Sequence, residues 1–256
     1  FHAHVREARA HRKLLAPYVC AGFPSPGVTM DVLCALAEAG ADFIELGVPF
    51  SDPLADGPVI QRASSLALGQ GMTLPRALEM AEAYAARKTG VPLVLMGYAN
   101  PFLAFGAAQV SERCARAEIG ALIVPDLPPE AQGLLPGTPP FVPFVAPNSL
   151  EDRLKAALAL DPPFLYGVAL YGVTGARQDV ADYTLPFLRT VKRRTQTPVL
   201  AGFGVSTPEQ ARVLADACDG VIIGSALVRA LEEAEPGMEA AMAEAFLRHF
   251  RRALDA

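Results

Sequence analysis

An acid sits inside an apolar run at Phe43-Ile44-Glu45-Leu46, and a loop punctuated by Pro and Gly then carries two more, Asp52 and Asp56. A carboxylate in a hydrophobic strand is costly unless it is paired, hydrogen-bonded or protonated. Chemistry is one reason to keep such a group, and an ion pair with an arginine is the other. Alternation along Phe43, Glu45 and Gly47 puts the Glu45 side chain on one face of its strand. Ringed by apolar groups and close to other carboxylates, it should have its pKa raised from about 4.3 toward neutrality. Such an acid can give and take a proton within one reaction cycle. Asp56, on a loop and better solvated, should stay ionised and stabilise developing positive charge, a division of labour that recurs in acid–base enzymes. Asp52 suits an Asx-turn or a helix cap better than catalysis.

A second cluster is made of glycines. Gly202-Phe203-Gly204 follows one apolar run, and Gly224-Ser225 follows the next and opens a helical stretch. Glycine lets backbone N–H groups approach an anion, and a helix N-terminus adds partial positive charge, so these loops suit a phosphate. Gly175 could supply a further N–H. No Arg or Lys lies beside them, so such a site would rest on backbone dipoles. Turn glycines, with Ser225 as a simple N-cap, are the alternative. Tyr166 reads either as part of the acidic site or as a core aromatic whose hydroxyl finds a partner. Tyr98 and Asp126 read as residues that set the shape and solvation of the site.

What is missing narrows the chemistry. The four histidines, His2, His4, His11 and His249, all lie near the chain ends, which argues against His-activated nucleophiles and His-ligated metals. The four lysines stand in charged helical stretches or just before a strand, where none could be desolvated for Schiff-base chemistry. Cys20, Cys34, Cys114 and Cys218 are scattered singly, without zinc spacing, and read as free thiols of a reducing cytoplasm. Proton transfer is left to carboxylates and tyrosines, with no metal or cofactor in this chain.

These groups need a scaffold. Short apolar runs alternate with Ala/Leu-rich stretches, which predicts strands near 17–20, 42–46, 92–96, 121–124, 141–144, 164–168, 198–201 and 220–223. Helices are predicted near 29–38, 74–88, 108–117, 149–160, 183–194, 208–215 and 226–235, with a tail helix over 238–254. About eight β/α units of even spacing predict a single (β/α)₈ barrel of the TIM type over 1–256, with a short helical extension at the N-terminus. An open doubly wound sheet is the alternative, but no GxGxxG follows the first strand. In a barrel, the strand C-terminal ends collect the chemistry. Those ends hold Glu45, the loop 97–100, Asp126, Tyr166, Gly202-Phe203-Gly204 and Gly224-Ser225.

Composition agrees. Of 256 residues, 52% are hydrophobic and 19% charged, enough for a large core. The net charge of −5 offers no basic footprint for nucleic acid or an anionic membrane. No apolar run approaches a membrane span, and the charged start FHAHVREARAHRKLL does not read as a secretory signal. Lacking a Met, that start reads as trimmed or incomplete.

The stretch ELGVPFSDPLADGPVIQ (45–61) resembles the signature of the tryptophan synthase alpha chain family. Tyr98-Ala99-Asn100-Pro101, Pro125-Asp126-Leu127-Pro128, Gly172-Val173-Thr174-Gly175, Gly202-Phe203-Gly204 and Gly224-Ser225-Ala226 follow in the family's order and spacing. The resemblance implies a lyase that cleaves indole-3-glycerol phosphate to indole and D-glyceraldehyde 3-phosphate. By it, Glu45 matches the acid/base, Asp56 the carboxylate at the indole N–H, and Tyr166 the tyrosine beside the acid. Tyr18 matches an aromatic of the indole pocket and Thr174 a mobile-loop threonine that packs on Asp56, while Tyr98 is placed in the substrate-binding set for the shape it gives the site. Gly175, Gly204, Gly224 and Ser225 match the phosphate cradle and Phe203 a residue of its loop, and Gly202 beside it is placed in the substrate-binding set. The resemblance also implies a beta subunit carrying pyridoxal phosphate (PLP), an α₂β₂ complex that receives the indole, and a cytoplasmic location. Phe23, where many members carry Asp, and Ala169-Leu170-Tyr171, where many have Ser-Arg before the glycine, depart from the pattern. A free-standing lyase and a non-catalytic regulatory barrel are the competing expectations.

Overall fold

Eight short strands, nearly every residue of them buried, alternate with helices in the computed structural model, which describes residues 1–148, 151–169 and 183–256. The chain runs α1 His2–His11, β1 Leu14–Cys20, α2 Pro26–Glu38, β2 Ile44–Gly47, α3 Pro58–Gly69, α4 Leu74–Ala85 and β3 Leu93–Met96. It continues through α5 Ala99–Phe105, α6 Ala107–Arg116, β4 Ala121–Ile123, a 3₁₀ turn Pro129–Leu134, β5 Phe144–Val145, α7 Glu151–Ala159 and β6 Leu165–Val168. It ends with α8 Thr184–Arg194, β7 Val199–Gly202, α9 Pro208–Ala215, β8 Gly220–Ile223, α10 Ser225–Glu233 and α11 Glu239–Asp255.

All strand pairs are parallel, and neighbours in the sheet are neighbours in sequence, with β8 paired to β1. The remaining seam, between β4 and the approach to β5, is bridged at Leu122 and Phe141. There the Leu122 N–H donates to the Pro140 carbonyl at 2.9 Å, and the Val142 N–H donates to that of Leu122 at 2.8 Å. The sheet is thus a closed (β/α)₈ barrel. A doubly wound sheet would leave two free edges and a reversal of strand order, and neither is present.

Helix starts follow local chemistry. Ser25 caps α2 ahead of Pro26, and Thr207 forms a capping box with Gln210 ahead of Pro208. Proline at the first helical position has no N–H to waste and a pre-set φ. The same signal, Gly57-Pro58, starts α3.

Two expected strand boundaries are corrected, and two helices are added. The first strand starts at Leu14, three residues before Pro17. Its ladder with β8 runs to Pro17 and that with β2 starts at Tyr18, so a residue without an N–H falls at the changeover. The fifth strand is not continuous over 141–144. It is a bridge at Phe141, then Pro143, then Phe144–Val145. Helices α3 and α5, which the periodicity did not predict, fill parts of the loops after β2 and β3.

The N-terminal face of the barrel shows how this fold treats a buried acid. Asp42, at the foot of β2, accepts from the Leu15 N–H and from the guanidinium groups of Arg12 and Arg251. Asp219, at the foot of β8, accepts from the Val199 N–H and pairs with Arg9 and Lys192. Arg251 also donates to the Lys13 carbonyl, so α11 is tied to the barrel floor.

Candidate active site

At the opposite, C-terminal end of the strands lies a cavity of about 200 Å³. The strands β1, β2, β3, β5, β6 and β8 contribute Tyr18, Glu45, Met96, Phe144, Tyr166 and Ile222 to its wall. The loops and helices beyond them add Asp56, Gly57, Ile60, Phe203, Gly204, Gly224 and Ser225.

Glu45 is only 3% exposed, yet it is treated unlike Asp42, three residues earlier on the same segment. Its Oε2 is buried with no hydrogen-bond partner, and among the described residues no cation pairs with it. Among the described residues the arginine-paired alternative finds no partner for it. Burial, with a smaller contribution from the charge of Asp56, pushes the carboxyl up to about 8. At neutral pH it is mostly protonated and still able to ionise.

Asp56 is half-buried, and its pKa is raised by desolvation to about 6, against the lowering effect of a hydrogen bond from Tyr98. It is less well solvated than its loop position suggested, but it remains largely ionised at neutral pH. The loop around it is a tight turn, with Asp56 N–H donating to the Pro53 carbonyl at 3.0 Å and Gln61 Nε2 donating to the Asp56 carbonyl at 2.8 Å. The Tyr98 hydroxyl donates to Asp56 Oδ2 at 3.0 Å and accepts from the Ala55 N–H at 3.0 Å. Asp52 stays on the exposed side of the loop, where it accepts from the Ser51 hydroxyl and caps no helix. Asp126 accepts from the Ala99 N–H and so holds the start of α5.

Tyr18 and Tyr166 are buried phenols held far from ionisation, chiefly by desolvation and further by the nearby carboxylates. Tyr166 belongs to an aromatic wall, with ring centroids 4.7 Å from Phe144 and 5.5 Å from Phe203. Phe203 is 37% exposed and adopts φ 70, a left-handed conformation that a bulky side chain rarely takes. Gly204 follows at φ 80, and these two turns swing the loop after β7 over the cavity.

Gly202 does not line the cavity. A Cβ built there would overlap the Tyr166 phenol, so its lack of a side chain makes room for that ring. Gly202→Ala is expected to displace Tyr166 and cost about 1–3 kcal/mol as overpacking, read as a lowered midpoint in chemical unfolding. Tyr98 likewise lies behind the wall, its hydroxyl spent on the Asp56 loop. Gly224 precedes α10 as its N-cap and Ser225 is the first helical residue, so Ser225 is not the cap that the turn reading assigned it. Thr174 and Gly175 lie outside the described residues, as do residues 170 and 171 of the departing segment. The other departure, Phe23, is buried in the core.

Five wall residues escaped the sequence reading: Gly57, Ile60, Met96, Phe144 and Ile222. Met96 and Ile222 are ordinary strand residues with no chemical signature. Phe144 opens the short β5 after the interruption at Pro143. Ile60 sits on α3, and the Gly57-Pro58 start signal could have placed it. Among the described residues no cluster of His, Cys, Asp or Glu could hold a metal ion, and no Lys or His lines the cavity.

The family model described as tryptophan synthase alpha chain matches residues 5–254. This chain belongs to the tryptophan synthase alpha chain family. It is 42% identical to the alpha chain of Geobacillus kaustophilus over 242 residues, 90% of each protein. To that of Roseiflexus sp. it is 41% identical over 252 residues, covering 94% of this chain and 95% of the relative. Tryptophan synthase subunit alpha of Legionella pneumophila superposes with a TM-score of 0.87 at 32% identity, covering 99% and 97% of the two chains. A chain of tryptophan synthase from M. tuberculosis in its aminoacrylate-bound form gives 0.85 at 31%, with 98% of each covered. The family is one of lyases in tryptophan biosynthesis. Among the described residues no helix is long and apolar enough to cross a membrane.

Proposed function

We propose that this chain cleaves indole-3-glycerol phosphate to indole and D-glyceraldehyde 3-phosphate, with Glu45 as the proton carrier and Asp56 as the fixed anion. The unpartnered Oε2 of Glu45, buried beside a second carboxylate, carries this reading. Protonated Glu45 delivers its proton to indole C3, and the positive charge that appears on the ring nitrogen is stabilised by ionised Asp56. Glu45, now a carboxylate, takes the proton of the glycerol hydroxyl next to the ring. The carbon–carbon bond then breaks, its electron pair returns to the ring, and Glu45 ends protonated as it began. The indole ring is the electron sink, so the step needs neither metal nor Schiff base.

The apolar wall of Met96, Phe144, Tyr166, Phe203 and Ile222 suits the flat ring and keeps water from the proton path. The backbone of Gly204, Gly224 and Ser225, with the N-terminus of α10, suits the phosphate, whose binding energy positions the bond to be broken. Thr174 and Gly175 are assigned to this site from the family pattern. The family supports an α₂β₂ complex in the cytoplasm, with the PLP held by the beta subunit that takes up the indole.

The test is to incubate the purified chain with indole-3-glycerol phosphate, with and without a beta subunit, and to measure indole. Release of indole stimulated by the partner is expected. Absence of indole under both conditions overturns the reading, and strong release indifferent to the partner makes the chain a free-standing lyase.

A further inference from the structure

We infer that Tyr98 is a positioning residue of this site: its hydroxyl pins the loop after β2 so that Asp56 faces the cavity as a carboxylate with one oxygen free. The inference rests on the proposed role of Asp56. A phenol carries one proton. The Ala55 N–H, 3.0 Å away, points its hydrogen at the Tyr98 oxygen, so the phenolic proton must go to Asp56 Oδ2, also at 3.0 Å. The hydrogen-bond polarity therefore requires Asp56 to accept, which its ionised form does best. Oδ2 is spent on this bond. Oδ1 has no partner among the described residues and is left for a ring N–H.

The clamp is itself rigid. Tyr98 is 2% exposed, its ring stacks on Phe50 of the same loop at 5.3 Å, and its backbone adjoins α5, whose first N–H is held by Asp126. One side chain from the end of β3 thus holds both the ring contact and two polar contacts of the neighbouring loop. The ionisable groups facing this pair are Glu45 from β2, Tyr18 and Cys20 from β1, Tyr166 from β6 and Asp126 beyond β4. Among the described residues none of these groups is a cation, and the Tyr98 hydroxyl is the group that offsets the cost of keeping Asp56 charged.

Tyr98→Phe keeps the ring and its stacking and removes only the hydroxyl. The expected result is an acid limb of kcat/KM displaced upward by about one pH unit, a loss of about fivefold at pH 6 that nearly vanishes at pH 7.5. A carbon-13 titration of the Asp56 carboxyl, assigned with Asp56→Asn, should move by the same amount without any substrate. A uniform loss at every pH, or an unmoved carboxyl titration, overturns the positioning role. Failure of the parent chain to make indole, with the carboxyl titration still displaced, would count against the lyase reading and leave the clamp standing.

Discussion

Glu45→Gln is expected to lower indole formation by about 10³- to 10⁴-fold, because one group supplies both the acid and the base of the cycle. Glutamine matches the protonated acid in shape and fits the same wall, but it neither donates to C3 nor accepts from the glycerol hydroxyl. The same substitution should stabilise the fold at alkaline pH. The folded state holds the Glu45 proton up to about 8, whereas the unfolded chain releases it near 4.5. Between those values the folded protein binds more protons, so stability falls as pH rises through the window and levels off above it. The parent should therefore lose on the order of several kcal/mol between pH 4 and pH 9 that the variant retains. Urea midpoints at both pH values, together with an indole assay, measure the two effects. Equal stability of the two proteins at pH 9 would mean that the acid is not held against its will. Near-normal turnover would remove it from the reaction.

The contrast with Asp42 supports the role proposed for Glu45. Both acids are buried on the same β2 segment, yet the floor of the barrel surrounds Asp42 with Arg12, Arg251 and a backbone N–H. The mouth offers Glu45 a second negative charge. A fold that satisfies a buried carboxylate at one end of a strand and leaves one unsatisfied at the other supports the proton-transfer role proposed for Glu45.

Much of this was legible in the residues. Eight apolar runs at even spacing predicted closure, and the acid inside one of them marked the site. The strand ends were read well where glycine or a charge punctuates them, as at Glu45, Gly202 and Gly224. They were misread where proline interrupts pairing, as at Pro143. Helix α3 was hidden because Ala63, Ser64 and Ala67 make its buried face from small residues, which leaves a faint apolar stripe between proline-rich loops. The cavity wall is the least legible part. Whether Phe144 or Met96 faces a ligand depends on strand tilt and stagger, which no local pattern records. Gly202 and Tyr98 show a related limit. Sequence order brings them to the site, but the contacts that put them behind its wall are made with Tyr166 and Asp56, from distant parts of the chain.

Asp56→Asn should separate the two things this carboxylate does. The asparagine carbonyl can still accept from Tyr98, so the loop keeps its place while the charge disappears. Loss of the anion beside the ring nitrogen is expected to lower kcat/KM by about 10²- to 10³-fold, the scale seen when one group that meets developing charge is removed. Its removal also takes away the repulsion that helps hold the Glu45 proton. The pH profile of the parent should be bell-shaped, rising as Asp56 ionises near 6 and falling as Glu45 ionises near 8, with both limbs belonging to the coupled pair. In the variant the acid limb should vanish and the alkaline limb should move to lower pH, toward the value that burial alone sets. Tyr98→Phe predicts the reverse, a displaced acid limb with the alkaline limb in place. An Asp56→Asn enzyme that lost rate without moving the alkaline limb would show that the two carboxylates act on the substrate independently. A moved limb with little loss of rate would mean that Asp56 tunes Glu45 and does not meet the ring.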